Sequence, residues 1–160
     1  MLTQEQLKKI INYNQETGIF TWTDRKHCSG RTAGGMDVKG YIIIKIYGKT
    51  YKSHRLAFLY MDGEMPEGDV DHINGIRDDN RWINLRKATR SENIQNLKKA
   101  HRSNKSTGLL GVYLNKKEGS IYSKITINKK VIYLGCFKTA EEAHKIYLTA
   151  KRELHPYGTL

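Results

Sequence analysis

Apolar residues recur along this chain in two rhythms, one helical and one alternating. Leu7, Ile10 and Ile11 form a helical stripe behind Thr3, which with Gln6 writes a capping box, and Leu2 is placed to staple onto Leu7. His54–Met61 is an apolar helical segment. Thr89 with Glu92 opens a third helix through Asn93, Ile94 and Leu97. Thr139 with Glu142 opens a fourth, with Ala140, Ala143, Tyr147, Ala150 and Leu154 on one face. Glu141 and Glu142 near its start, and Lys151 and Arg152 near its end, suit the helix dipole. Strands fill the intervals. Ile19–Trp22 is a short one, and Tyr41–Tyr47 with Thr50–Lys52 reads as a hairpin around Gly48-Lys49. Gly111–Leu114, Ile121–Ile127 and Val131–Phe137 read as antiparallel strands, with a turn at Asn128-Lys129. Residues 98–108, KKAHRSNKSTG, lack apolar periodicity and read as a linker. Thr23–Gly40 reads as a Gly-rich surface loop carrying Arg25, Lys26, Arg31 and Lys39. The pattern predicts an α+β protein.

Charge changes the picture more than composition does. The 160 residues hold 28 Lys+Arg against 16 Asp+Glu, a net +12. Such a balance favours a polyanionic partner, nucleic acid above all. Ten Tyr, three Phe and two Trp are enough to seed packed cores, which excludes a wholly disordered chain. No apolar run approaches the ~20 residues of a membrane span, so no membrane partner is expected. The first residues lack an apolar signal core, so secretion is not expected and a cytoplasmic location is. Cys28 and Cys136 form no CxxC, which argues against a disulfide scaffold and a Cys-based zinc site. Residues 1–60 sum to +6, residues 61–90 to −2 and residues 91–160 to +8. The acidic island holds Asp62, Glu64, Glu67, Asp69, Asp71, Asp78 and Asp79, with Arg77 the only basic residue between 62 and 79. Carboxylates repel phosphate, and a cation bridging the two would explain them.

The island leads into VDHINGIRDDNRWINLRKATRSENIQN, Val70–Asn96. Asp71 and His72 end a short strand, Asn74-Gly75 is a turn, and Asn84-Leu85-Arg86 leads into a second strand. A capped helix then presents Asn93. Phosphodiester hydrolysis needs an activated water, a neutralised phosphate and a stabilised leaving oxygen. A neutral imidazole can take the proton, which makes His72 the base. Carboxylate and carboxamide oxygens are hard ligands, which makes Asp71 and Asn93 the metal ligands, for Mg²⁺ first and Mn²⁺ second. Asn84 suits a loop-positioning role, because Asn bonds backbone groups at both ends.

These residues resemble HNH endonucleases of the phage and homing type. The likeness includes HRLAFLY at His54–Tyr60, then Pro66, VDHINGIRDDNRWINLR and ATRSENIQN. It implies the ββα-metal motif over about 69–97, within a nuclease domain of residues 1–97 that also holds a small N-terminal β-sheet region. The family's first His matches His72, its central Asn matches Asn84, and its last His is replaced by Asn93. Residues 103–158 resemble the DNA-binding domain of plant ethylene-response factors, through TGLLGVYLNKK, IYSKITI and YLGCFKTAEEAHKIY. That implies, for 109–160, a three-stranded antiparallel sheet packed on one helix and entering the major groove.

Alternation turns Ile121, Ser123, Ile125 and Ile127 towards that helix. Tyr122, Lys124 and Thr126 face outwards, joined by Tyr113 and Asn115. With Arg55, Arg86, Lys98, Lys99, Arg102 and Lys105, these are the expected DNA contacts. Arg is scarce on this face, so bidentate guanine readout is mostly absent. The whole reads as a metal-dependent endonuclease on double-stranded DNA. It would nick as a monomer, with dimerisation the route to double-strand cutting, in a bacterial host's cytoplasm if phage-encoded. A non-catalytic DNA-binding regulator is the rival. An RNA-binding protein is disfavoured, because the sheet offers no aromatic stacking pair of the RNP type.

Overall fold

The computed structural model describes residues 2–23, 29–101 and 104–159. Arg25, Lys26, Cys28 and the expected DNA contact Arg102 lie outside them. The described chain is α+β and divides into two compact units, Met1–Arg90 and Ser91–Leu160. Asn93 therefore belongs to the second unit, whereas Asp71, His72 and Asn84 belong to the first.

In the first unit, α1 spans Gln4–Ile10 behind a complete Thr3/Gln6 capping box. The helix stops at Ile10, and Ile11 opens a strand that the helical stripe had absorbed. β1 (Ile11–Asn14) pairs antiparallel with β2 (Ile19–Trp22). Asn14 ends β1, since its side chain accepts the amides of Glu16 and Thr17 and closes a turn. β3 (Gly35–Met36), β4 (Ile42–Ile46) and β5 (Lys49–Lys52) form a second sheet. Its hairpin turns at Tyr47-Gly48, one residue before the expected Gly48-Lys49. Both turn residues have positive φ, 48° and 78°, as a tight primed turn requires.

α2 (Ser53–Asp62) ends at Gly63 in the left-handed conformation. β6 (Asp69–His72) and β7 (Leu85–Ala88) pair antiparallel, with Asp71 opposite Arg86 and His72 opposite Leu85. A single 3₁₀ turn, Trp82–Asn84, leads into β7. Leu7, Ile11, Phe20, Ile44, Ile46, Leu56 and Phe58 share one core, each worth ~1.5–3 kcal/mol when fully buried. Val70 and Leu85 join it, so the core seats the β6–β7 hairpin.

Four of the seven carboxylates of the acidic island form ion pairs within the first unit. Asp62, Asp69, Asp71 and Asp79 pair with Lys87, Arg90, Arg86 and Arg81. The fold returns these cations to carboxylates that precede them in sequence.

In the second unit, α3 spans Arg90–Gln95, beginning at the last residue of the first unit, and is shorter than the apolar pattern through Leu97 suggests. β8 (Val112–Asn115), β9 (Ser120–Ile127) and β10 (Lys130–Phe137) form an antiparallel sheet in the order β10-β9-β8. α4 spans Ala140–Leu154, with Thr139 Oγ1 accepting from the amide of Glu142. Ile125, Tyr147 and Ala150 pack together, and Ser123 is fully buried. Within 98–108, Asn104 is more than linker. Its Nδ2 donates to the carbonyls of Leu109 and Val112 at 3.0 and 3.1 Å. Lys151, on α4, is buried and donates to the carbonyl of Leu97.

Gly18 sits at φ +72° in the β1–β2 turn, where a Cβ would lie 2.3 Å from the backbone carbon of Asn80. Gly30 has φ +77° and open space. Gly30→Ala is expected to cost ~1 kcal/mol for the backbone alone, and Gly18→Ala several times that, because two backbones collide. Urea unfolding of both variants checks the order.

Candidate active site

The β6–β7 hairpin ends in a loop, residues 73–84, whose own side chains fold it. Asn84 Oδ1 accepts the amide of Asn74 at 2.9 Å, and its Nδ2 donates to the carbonyl of Asp79 at 2.7 Å. The amide of Ile73 donates to the Asn84 carbonyl at 2.9 Å. Asn74 Nδ2 donates to Asp79 Oδ2 at 2.6 Å. Asp79 also receives Arg81, which more than any other neighbour holds its carboxyl down at about 2.

This loop aims His72. The ring Nε2 lies 3.2 Å from Asn80 Oδ1. Asn80 Nδ2 donates to the Asp78 carbonyl, which fixes the amide orientation and leaves Oδ1 as the acceptor. Nε2 therefore carries the proton of the neutral ring, and Nδ1 carries the basic lone pair. Asn80 is in turn held from β1, where the Tyr13 hydroxyl donates to its carbonyl at 2.7 Å. Burial pushes the Tyr13 pKa up, so that donor stays protonated.

His72 is 5% exposed, and burial pulls its pKa below the ordinary 6.5. The Asn80 oxygen and the carboxylates of Asp71, Asp79 and Asp78 oppose that shift. His54 of α2 packs edge-on to His72, ring centroids 5.0 Å apart, and Tyr41 lies 5.3 Å from His54 and 6.1 Å from His72. Lys52 Nζ stands 4.3 Å from the Tyr41 ring centroid and the Arg77 guanidinium 5.1 Å. Two cations thus flank the aromatic neighbour of the imidazole, which favours an incoming anion. Sequence reasoning missed Asn80, His54, Tyr41 and Tyr13. His54 was visible in HRLAFLY, but nothing along the chain says that α2 turns it towards His72.

Asp71 is 5% exposed and receives Nε and NH2 of Arg86 on Oδ2, at 2.8 and 2.6 Å. Arg86, expected at phosphate, is thus drawn into the hairpin. Arg55 likewise donates to the carbonyls of Gly68 and Pro66, tying α2 to the strand entry. Asn93 is half-buried on α3 in the second unit.

The family model for HNH endonucleases matches residues 51–95. This stretch carries an HNH endonuclease domain. It contains α2, the β6–β7 hairpin, the loop and α3, the elements that bear Asp71, His72, Asn84 and Asn93. A solved structure of DNA binding and cleavage by the HNH homing endonuclease I-HmuI is similar at 29% identity, with a TM-score of 0.43, over 54% of this chain. The match takes in 51% of that protein, so the chain spans about half its length. No curated protein matches the chain.

The HNH domain's donor set suits a hard divalent cation. Asp71 offers a buried carboxylate, and a carboxylate has about four lone-pair positions, so Arg86 on Oδ2 does not exhaust it. No cluster of three or more His, Cys, Asp or Glu able to hold a metal occurs among the described residues.

His54 is buried, and burial above all pulls its pKa to about 3. An unfolded His takes up a proton near 6.5, and the folded ring does not. Stability is therefore expected to fall as pH drops from about 6.5 towards 3, by up to ~1.4 kcal/mol per pH unit for this residue. Urea midpoints measured between pH 7.5 and 4.5 check this. His54→Phe is expected to make the loss shallower.

Proposed function

We propose that this protein is a metal-dependent DNA endonuclease that hydrolyses phosphodiester bonds of duplex DNA, prefers particular sites in the manner of homing enzymes, and nicks as a monomer. The observation that carries the reading is His72: a buried neutral imidazole beside a buried carboxylate, its tautomer set by Asn80, inside an HNH domain.

His72 Nδ1 takes the proton from the attacking water. Nε2–H stays on Asn80, so the imidazolium that forms is stabilised by an oxygen already in place. Asn84 keeps the loop folded, so the ring does not need to be ordered when substrate arrives. Asp71 supplies the charged metal ligand and Asn93 the neutral one, as the HNH likeness implies. A divalent ion held by these two residues, Mg²⁺ or Mn²⁺, would supply charge neutralisation at the phosphate and at the leaving oxygen. Lys52 and Arg77 draw the phosphate towards His72. The likeness also implies products with 5′-phosphate and 3′-hydroxyl ends. In the second unit, a net +8 over residues 91–160 supplies affinity for the polyanion, with Lys98, Lys99, Lys105 and the outer sheet face as contacts. The three strands and one helix formed by residues 109–160 support the ethylene-response-factor reading of that stretch.

Conversion of supercoiled plasmid to open circles tests the reading. Cleavage is expected with added Mg²⁺ and none in excess EDTA. His72→Ala and Asp71→Ala are expected to lower the rate by ~10²–10⁴ while DNA affinity stays near wild type. DNA binding with no metal-stimulated nicking would favour the regulator reading instead.

The pH profile gives a separate check. Because burial lowers the His72 pKa, the base is already neutral at pH 7. The acid limb of kcat/KM is expected below pH 6.5, and a limb centred above 7 would contradict the assignment.

A further inference from the structure

The outer face of the second unit's sheet serves the DNA contact proposed above. There Tyr113 of β8 stacks on Tyr122 of β9 with ring centroids 5.5 Å apart. The expectation that this sheet lacks an aromatic stacking pair is thereby corrected. Elsewhere in this unit stands a buried polar cluster that the proposed reaction does not use. Gln95 and Asn96 at the end of α3, and Lys151 and His155 at the end of α4, are 8%, 5%, 1% and 6% exposed.

α3 needs an outside seat. It has six residues, too few to hold a helix alone, and Ile94 within it and Leu97 just after it are exposed. Two hydrogen-bonded turns lead on from Asn93. The backbone amide of Asn96 donates to the Asn93 carbonyl at 3.3 Å, and that of Leu97 to the Ile94 carbonyl at 3.1 Å. Both of these following residues are gripped. Lys151 Nζ donates to the Leu97 carbonyl. Asn96 Oδ1 accepts the Thr159 hydroxyl at 2.7 Å and the Thr159 backbone amide at 3.2 Å. The chain between Lys151 and Thr159 is itself tied down. His155 Nε2 donates to the Thr126 carbonyl of β9 at 3.0 Å, and the Gly158 amide donates to the His155 carbonyl at 2.8 Å. A Cβ on Gly158 would lie 3.2 Å from both the Gln95 carbonyl oxygen and Lys151 Cε, so glycine lets the tail close against them.

A buried ammonium is a costly way to fill a core. Burial, with repulsion from Lys98, pulls the Lys151 pKa below the ordinary lysine value, a penalty that an apolar side chain would not carry. What the ammonium adds is direction. An apolar contact leaves a short helix free to roll. Hydrogen bonds to the Leu97 carbonyl and the Asn96 side chain fix its rotation, and with it the bearing of Asn93 one turn earlier. We propose, on the reading of Asn93 as the neutral metal ligand, that Lys151 and Thr159 are positioning residues that set Asn93. The second unit then does more than contact DNA, because it orients a ligand of the metal.

The test compares the full-length protein with three variants. Lys151→Met keeps the stem and loses the charge, Thr159→Val keeps the shape and loses the hydroxyl, and Thr159→Ser retains the hydroxyl. In metal-free protein, the Asn96 and Leu97 amides are expected to exchange with solvent about tenfold faster in Lys151→Met and Thr159→Val, with β8–β10 amides unchanged. Added Mn²⁺ is expected to broaden the Asn93 side-chain amide resonances of the wild type, and about tenfold more is expected to be needed in these two variants. In plasmid nicking, the Mg²⁺ concentration for half-maximal rate is expected to rise about tenfold, saturating Mg²⁺ to restore the rate, and affinity for duplex DNA in EDTA to stay within about twofold. Thr159→Ser is expected to behave as wild type throughout. Unchanged exchange at Asn96 and Leu97 would overturn the proposal, as would faster exchange with an unchanged metal requirement, or no Mn²⁺ effect on Asn93. So would a loss of rate and DNA affinity that saturating Mg²⁺ does not restore, since that marks a merely structural role. A protein that shows the exchange and Mn²⁺ effects but never nicks would keep this inference and lose the nuclease reading. One that nicks with metal, and whose variants match wild type, would do the reverse.

Discussion

The hydrogen bond between His72 and Asn80 organises the first unit's chemistry. An imidazole buried among aromatic rings gains nothing from the fold unless one nitrogen is paired. Pairing Nε2 with an oxygen that can only accept decides which nitrogen holds the proton. The Asn80 oxygen has to be immobile for this to work. Its amide group is tied to Asp78, and its carbonyl is held by Tyr13, a residue of a different sheet. The amide of Trp82 donates to the Gln15 carbonyl, which clamps the far end of the same loop to the same β1–β2 turn. The first hairpin of the chain, which carries none of the expected site residues, is thus the abutment of the loop that holds His72.

How much of this could be read from the sequence depended on range. Elements written locally appear where their signals put them: the Thr3 and Thr139 caps, the Ile19–Trp22 strand and the Asn128-Lys129 turn, whose residues have φ of 48° and 66°. The DH dipeptide at the end of β6 and the Asn84 entry to β7 were also legible, because strand ends and Asx turns are short-range devices. The reading erred where a local pattern competed with a distant partner. Ile11 continues a helical stripe yet joins β1, since Trp22 offers it a strand partner. Arg86, expected at phosphate from its charge alone, also has an acidic register partner across the hairpin, Asp71, that no local pattern announces. His54, separated from His72 by α2 and the turn that follows, had no sequence signal for its placement.

The pairing of Asp71 with Arg86 also balances the site. A buried carboxylate without a partner would cost several kcal/mol or take up a proton. Arg86 compensates that charge from across the hairpin. An ion joining Asp71 would share that carboxylate with a guanidinium, which weakens its hold and suits an ion that must come and go with substrate.

The second unit's sheet ends in β10, whose Val131, Ile132 and Tyr133 are all exposed. An apolar strand at a sheet edge invites another chain to add itself, a route to aggregation. The register of β10 slips between Tyr133 and Gly135, and Gly135 takes a φ of 129° that few other residues would adopt. The bulge bends the strand midway and interrupts its row of outward amides and carbonyls. An incoming strand could align with Lys130–Tyr133 but would lose step before Phe137. The bulge thus halves the length of regular edge that β10 offers to another strand.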